Sequence, residues 1–266
     1  MYNGIDAHIH IDLYEESERL AILEHSFESG IEAVIAVSMH EASCKVNRRL
    51  ALHYPGQVYP AYGFHPEQPI PDDNEVEQLF HWIEARHAAG EIFAIGEVGL
   101  PYYTRTEAEV KGTVFDETPY IVLLERFAQL ASKQDRPLVL HAVYEDGAKA
   151  LDILAKYKVR RAHFHWFKGD DAIVDKMIAC RYFISISPDV AYEHEIQSLV
   201  RRYPLELMMA ETDGPWLFEG PYAGIRTEPV MIKEVAKHIA ELKQLPVEDV
   251  HMALLNNTRD FYQLKK

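Results

Sequence analysis

Residues 91–100 read EIFAIGEVGL, an almost unbroken apolar run that closes around one carboxylate, Glu97. A strand with one face in water alternates apolar and polar side chains. A strand that is apolar at successive positions is covered on both faces, the condition of a parallel sheet flanked by helices. Seven more short runs of apolar or β-favouring residues occur, at 4–9, 31–37, 57–63, 137–141, 161–165, 181–186 and 206–211, with RPLVLH at 136–141 the plainest. Helical periodicity fills the spaces between them. Over 119–134, Ile121, Leu124, Ala128 and Ala131 recur on one face, and a second helix runs from Pro229 with Ile232, Val235, Ile239 and Leu242 on one side. Proline suits a first turn because its missing N–H would have no partner there. Eight doubly covered strands alternating with helices predict an α/β fold, a single (β/α)8 TIM-like barrel, with a doubly wound open sheet as the competing architecture.

Composition agrees with one packed body. The chain has 266 residues, 48% hydrophobic and 26% charged, enough to bury a full core, and no Pro/Gly/Ser linker, repeat or low-complexity tract divides it. We read 1–266 as a single domain. Two cysteines, Cys44 and Cys180, stand far apart outside any CxxC spacing and are read as reduced, buried residues. No apolar stretch is long enough to span a bilayer, no secretory signal is legible, and a cytoplasmic location with no membrane partner is expected. The formal net charge of −15 argues against an extended nucleic-acid surface, which needs a basic stripe to displace counterions. It does not exclude chemistry on one phosphate, because bound ions can reverse the local field.

The longest irregular regions, 64–74, 99–118 and 212–228, each follow a strand, and in a barrel they form loops on the C-terminal face, where active sites are built. Ligand-type residues collect at the same end. His8 and His10 close the first run, His65 follows the third, Glu97 ends the fourth, His141 the fifth and His165 the sixth, and Asp213 follows the eighth. Side chains two apart on a strand share a face, so His8 and His10 can point at one ion. Four histidines with Glu97 and Asp213 are too many ligands for one tetrahedral ion and suit two divalent ions, Zn, Mn or Mg, bridged by a carboxylate. Two such ions contribute +4 against −3 from Glu97, Asp213 and a bridging hydroxide, a centre that attracts an anion. Asp6, two before His8, and His163, two before His165, are expected one layer deeper on the same faces. Glu211 either orients a ligand or satisfies a buried partner. His40 lies within reach of the rim, and His25, His53, His81, His87, His194, His238 and His251 fall in helical stretches expected at the surface.

The strings IDAHIH (5–10), AYGFHP (61–66), AIGEVGL (94–100), LVLHA (138–142), HWFKG (165–169), AETDGPWL (210–217), Glu228-Pro229 and NNTRDFY (256–262) together resemble the TatD family of metal-dependent deoxyribonucleases, in order and over essentially the whole chain. The resemblance implies a dinuclear site in which His8, His10 and Asp213 bind one ion, His141 and His165 the other, and Glu97 bridges. It also implies that His65 contacts a substrate phosphate. Departures from the family pattern fall beside the ligands: Pro101 where Asp is common, Ala142-Val143 where Ser-Arg is common, and Thr227 where Asn is common. The arginine position that would meet a phosphate is thus apolar.

The expected function is metal-dependent hydrolysis of phosphodiester bonds at the ends of DNA strands, with Glu97 and Asp213 catalytic and single-stranded ends the partner. The alternative keeps the site and changes the bond, as an amidohydrolase-like amidase or esterase or an aminoacyl-tRNA deacylase. Enzymes of that broader class often bridge their metals with a modified lysine on the fourth strand, and EIFAIGEVGL has none. A barrel without turnover, acting as a scaffold, is a third reading.

Overall fold

The computed structural model describes residues 3–264. Eight strands, β1 (Gly4–Ile9), β2 (Ile31–Ala36), β3 (Val58–Tyr62), β4 (Ala94–Gly99), β5 (Leu138–His141), β6 (Ala162–Phe164), β7 (Phe183–Ile186) and β8 (Met208–Ala210), pair in parallel in sequence order. Each expected strand lies within two or three residues of an observed one. The seam between β8 and β1 is closed by backbone bonds just beyond β8, from Asp213 N to the His8 carbonyl at 3.0 Å and from His10 N to the Gly214 carbonyl at 2.8 Å. The barrel is therefore nearly complete, and the open sheet is excluded.

Among the described residues, ten α-helices connect and cover the strands: α1 (Glu16–Glu28), α2 (Glu41–His53), α3 (Asp73–Ala88), α4 (Tyr102–Val110), α5 (Thr118–Gln134), α6 (Glu145–Tyr157), α7 (Asp171–Ala179), α8 (His194–Arg202), α9 (Ile232–Lys243) and α10 (Val247–Tyr262). Two of the three apolar regions that result position the site. The larger fills the space between strands and helices, where Leu124, Phe127, Ala128 and Ala131 of α5 meet Ile95, Leu138 and Leu140. The smaller joins Ala7, Ile35, Val37, Ala61, Ala94, Val139 and Met209 of the strands and their ends to Phe261 and Tyr262 of α10. α10 thus plugs the floor, its Tyr262 hydroxyl donating to the Ala7 carbonyl at 3.3 Å. Only the opposite end remains for a site. At Gly99 the wall is drawn tight, because a Cβ there would lie 1.8 Å from the His141 carbonyl oxygen.

Four expectations need correction. The segment 99–118 is not irregular, since α4 occupies its middle; that helix buries none of its side chains and shows no apolar stripe for sequence reasoning to find. The helix expected from Pro229 begins at Ile232, and Pro229–Met231 form a 3-10 turn before it. Cys180 is exposed at the C-terminus of α7, while Cys44 is buried. Asp6 does not repeat His8 one layer down. Between Asp6 and Ile9 the β1 ladder advances three residues while β2 advances two, from Val34 to Ala36, a bulge that breaks the alternation. The Asp6 carboxylate instead accepts bonds from the His8 and Thr212 amides, at 3.2 and 3.1 Å, and from the Thr212 hydroxyl, pinning β1 to the segment after β8.

Candidate metal centre

The seven expected residues converge at the C-terminal mouth around Glu97, which is fully buried. Its two oxygens are shared out. Oε2 lies 3.1 Å from Nε2 of both His8 and His10. Oε1 lies 2.7 Å from His165 Nε2, 3.0 Å from His141 Nδ1 and 3.3 Å from His65 Nε2. Asp213 completes the first group, with Oδ1 3.3 Å from His8 Nε2 and 3.7 Å from His10 Nε2. Asp213 holds this place with φ at 50°, a left-handed conformation that aspartate tolerates better than most residues.

The donor set fits metal ions. Ligand atoms of His8, His10 and Asp213 lie within 4.8 Å of one another, as do those of Glu97, His141 and His165, and two further overlapping sets bring in His65 and Glu211. Six buried atoms here have no hydrogen-bond partner: both nitrogens of His8, Nδ1 of His10 and of His165, Oε2 of Glu97 and Oδ1 of Asp213. A buried polar atom without a partner costs free energy on the order of 1–3 kcal/mol, so the three that face one another, Nε2 of His8, Oε2 of Glu97 and Oδ1 of Asp213, mark a place for a cation.

The electrostatics point the same way. Burial alone would raise the Glu97 carboxyl, but His165, His65 and His8 overcome it and hold Glu97 well below the usual carboxylate range. Asp213 is likewise lowered by His8 and its neighbours against burial. Burial opposes charge on His8, yet Glu97 and Asp213 raise it to about 9, and Glu97 with Glu211 raises His165. His65 goes the other way: burial dominates and lowers it. The cluster stores bound protons that incoming divalent cations would displace.

Two carboxylates beside the mouth act through other groups. Glu67 was not singled out in the sequence; its one signal is its place in the irregular stretch two residues after His65. Its amide donates to His65 Nδ1 at 3.1 Å, which leaves the His65 proton on Nε2, facing Glu97. Its Oε1 accepts from the Tyr103 amide at 2.8 Å and from His141 Nε2 at 3.2 Å, and Oε2 accepts from the Thr104 amide at 2.7 Å. Glu67 thus caps α4 from another loop and turns His141 Nδ1 toward Glu97 and His165. Glu211 accepts the Trp166 amide at 2.9 Å and the Ser185 hydroxyl. Ser185 in turn meets His163 Nε2 at 2.5 Å, and His163 Nδ1 meets the Tyr262 hydroxyl at 2.7 Å. His163 therefore sits below the centre as an interior polar residue. His40 caps α2, its Nδ1 accepting from the Ser43 amide at 3.3 Å, and His25, His53, His81, His87 and His194 are exposed on helices. His238 and His251, also helical, are only partly exposed.

A parallel barrel whose C-terminal mouth gathers imidazoles and carboxylates has the architecture of a metal-dependent hydrolase. The chain belongs to the TatD-related DNase family, whose model matches residues 5–263. An uncharacterized metal-dependent hydrolase of Haemophilus influenzae is 41% identical over 260 residues, covering 97% of this chain and 99% of that protein. Human deoxyribonuclease TATDN3 is 28% identical over 252 residues, covering 92% and 89%. Among solved structures, the TatD homolog YJJV of Escherichia coli superposes with a TM-score of 0.84 at 23% identity, covering 98% of each chain, a likeness of fold. No helix among the described residues is long and apolar enough to cross a membrane.

The raised groups set a pH dependence for the metal-free protein. A histidine raised in the folded state contributes stability that is complete below its unfolded value of about 6.5 and is lost as pH rises through its folded value. His8, at about 9, and His165 act in this sense. Asp6, pushed up to about 8 by burial, loses stability in the same direction at lower pH. Chelator-treated protein should therefore melt at progressively lower temperature from pH 6.5 to 9.5, and excess Mn2+ should flatten that fall. Calorimetric melts across this range decide it, and a midpoint that rises with pH in the chelated protein contradicts it.

Proposed function

We propose that the chain is a phosphodiesterase that removes nucleotides from the ends of DNA strands and works with two divalent ions. The observation that carries the reading is the division of the Glu97 oxygens between two sets of ligands. His8, His10 and Asp213 would hold one ion, His141 and His165 the other, and Glu97 would touch both. Ions bound there would supply a water acidified to a pKa of about 7 and a positive field for the phosphoryl oxygens.

The side chains supply the rest. Neutral at pH 7 because burial lowers it, His65 keeps its proton on Nε2 and offers it as a hydrogen-bond donor to a phosphate oxygen. Asp213, held ionised, would accept or relay the proton of the attacking water. Glu97 stays anionic and keeps the two ligand sets at a fixed separation. The name of the human relative, a deoxyribonuclease, supports DNA as the substrate, and the acidic balance of the chain favours gripping a terminal nucleotide over tracking a duplex. Amide and ester hydrolysis by the same site is the competing reading, separated by assaying both bond types.

Mn-loaded protein should release nucleotides from end-labelled single-stranded DNA, and a chelator should stop it. Glu97→Ala should lower kcat by about a thousandfold or more, an effect of the size seen when a preorganised electrostatic group is lost. Turnover of amide or ester substrates with none of DNA, at confirmed metal occupancy, would refute the substrate assignment.

A second outcome follows from Glu67. Removing a carboxylate that orients a ligating imidazole typically costs 10–100-fold in metal affinity, so Glu67→Ala should weaken Mn2+ binding by about that factor, and Glu67→Gln by less. Calorimetric titration measures it. Equal affinity in wild type and Glu67→Ala would remove Glu67 from the account.

A further inference from the structure

We propose that the mouth of the barrel carries a stacking subsite for a single nucleobase, built by Trp216 and Trp166 on one side and Tyr103 on the other. The inference rests on the phosphodiesterase reading and names what that site grips: the planar ring of the nucleotide whose phosphate lies at the Glu97 cluster.

Both tryptophans are placed by the cluster itself. Trp166 directly follows His165, and its amide is held by Glu211 at 2.9 Å and its indole N–H by Asp189 at 2.5 Å. Trp216 lies three residues beyond Asp213, and its amide donates to the Asp213 carbonyl at 3.0 Å. The two indoles meet edge to face with centroids 5.6 Å apart, and Phe218, which is buried, backs Trp166 at 5.7 Å. Trp216 nevertheless remains 58% exposed. In the first turn of α4, the helix that follows β4, Tyr103 is 49% exposed, its ring centroid 6.0 Å from that of His141 and its amide fixed by Glu67. A large aromatic that stays in water while its backbone is anchored to the ligand-bearing loops adds little to the core. It is placed for a ring that arrives with the substrate.

The cations of the rim favour the same conclusion. Ala142 and Val143 are both buried, so the position where the family resemblance leads one to expect arginine presents no charge. Lys168, the cation beside the tryptophans, lies 3.9 Å from Asp189 and over the Trp166 ring at 5.4 Å. Arg105 is engaged by Glu145, Asp146 and Glu109. With Arg105 so engaged, no charge at Ala142-Val143 and a net charge of −15, stacking is a source of affinity beyond the reacting phosphate that needs no cation. Base stacking on an aromatic side chain corresponds to roughly 5- to 150-fold in affinity and tolerates any base.

Calorimetric titration of the Mn-loaded protein with deoxyadenosine 5′-monophosphate and with deoxyribose 5-phosphate tests the subsite apart from turnover. The nucleotide should bind at least tenfold more tightly than the sugar phosphate. Trp216→Ala should weaken the nucleotide about tenfold or more and the sugar phosphate less than twofold, and Trp216→Phe should restore most of the difference. Equal binding of the two ligands to wild type, or an equal loss for both in Trp216→Ala, overturns the proposal. A parallel assay on a deoxydinucleotide and its abasic analogue separates the two readings. Hydrolysis of both at the same kcat/KM removes the stacking subsite and leaves the phosphodiesterase. Base-dependent binding without hydrolysis of either removes the phosphodiesterase and leaves the subsite.

Discussion

A carboxylate with no exposure to water, Glu97, surrounded by five imidazoles, is the constraint on which the rest of the molecule depends. An isolated charge in such a place would be prohibitively costly, and a cluster of protonated imidazoles would repel itself. The arrangement is stable only when positive charge lies between the groups, supplied by bound protons in the metal-free protein and, in the proposed reading, by divalent cations when metal is bound. The fold serves that requirement. Strand ends bring the ligands from five directions, α10 seals the floor, and the second layer of carboxylates at Glu67 and Glu211 turns or braces the imidazoles and loops.

Most of the fold was legible because its signal is local. Doubly covered strands such as 94–99 and 138–141 are largely apolar at successive residues, and so short a run alternating with longer helical stretches fits a parallel strand buried on both faces. The convergence of His8, His10, His65, Glu97, His141, His165 and Asp213 was legible for a related reason: they fall at strand ends, and parallel closure places all strand ends on one rim. What escaped the sequence depends on contacts between distant segments. α4 exists because Glu67, 36 and 37 residues earlier, caps its first turn, and no pattern within 102–110 announces it. Asp6 changed face through a bulge in β1. Glu211 fits both of its readings at once, satisfying the Trp166 amide and the Ser185 hydroxyl while lying 3.7 Å from His165 Nδ1.

The departures from the family pattern acquire a physical sense together. Ala142-Val143 presents no charge where the family resemblance leads one to expect an arginine, and the chain is acidic as a whole. In the proposed reading, aromatic rings at the mouth offer an uncharged way to hold a nucleotide, one that suits a single terminal residue and selects weakly among bases. Metal chemistry and substrate grip would then fall to different residues, the first to the strand ends and the second to the loops that leave them.

The central claim is that Glu97 joins two cation sites. Anomalous diffraction from crystals grown with Mn2+ measures it directly. The account predicts two peaks per chain on either side of the Glu97 carboxylate, one within coordination distance of His8, His10 and Asp213, the other of His141 and His165. A single peak, or two peaks neither of which touches Glu97, would contradict it.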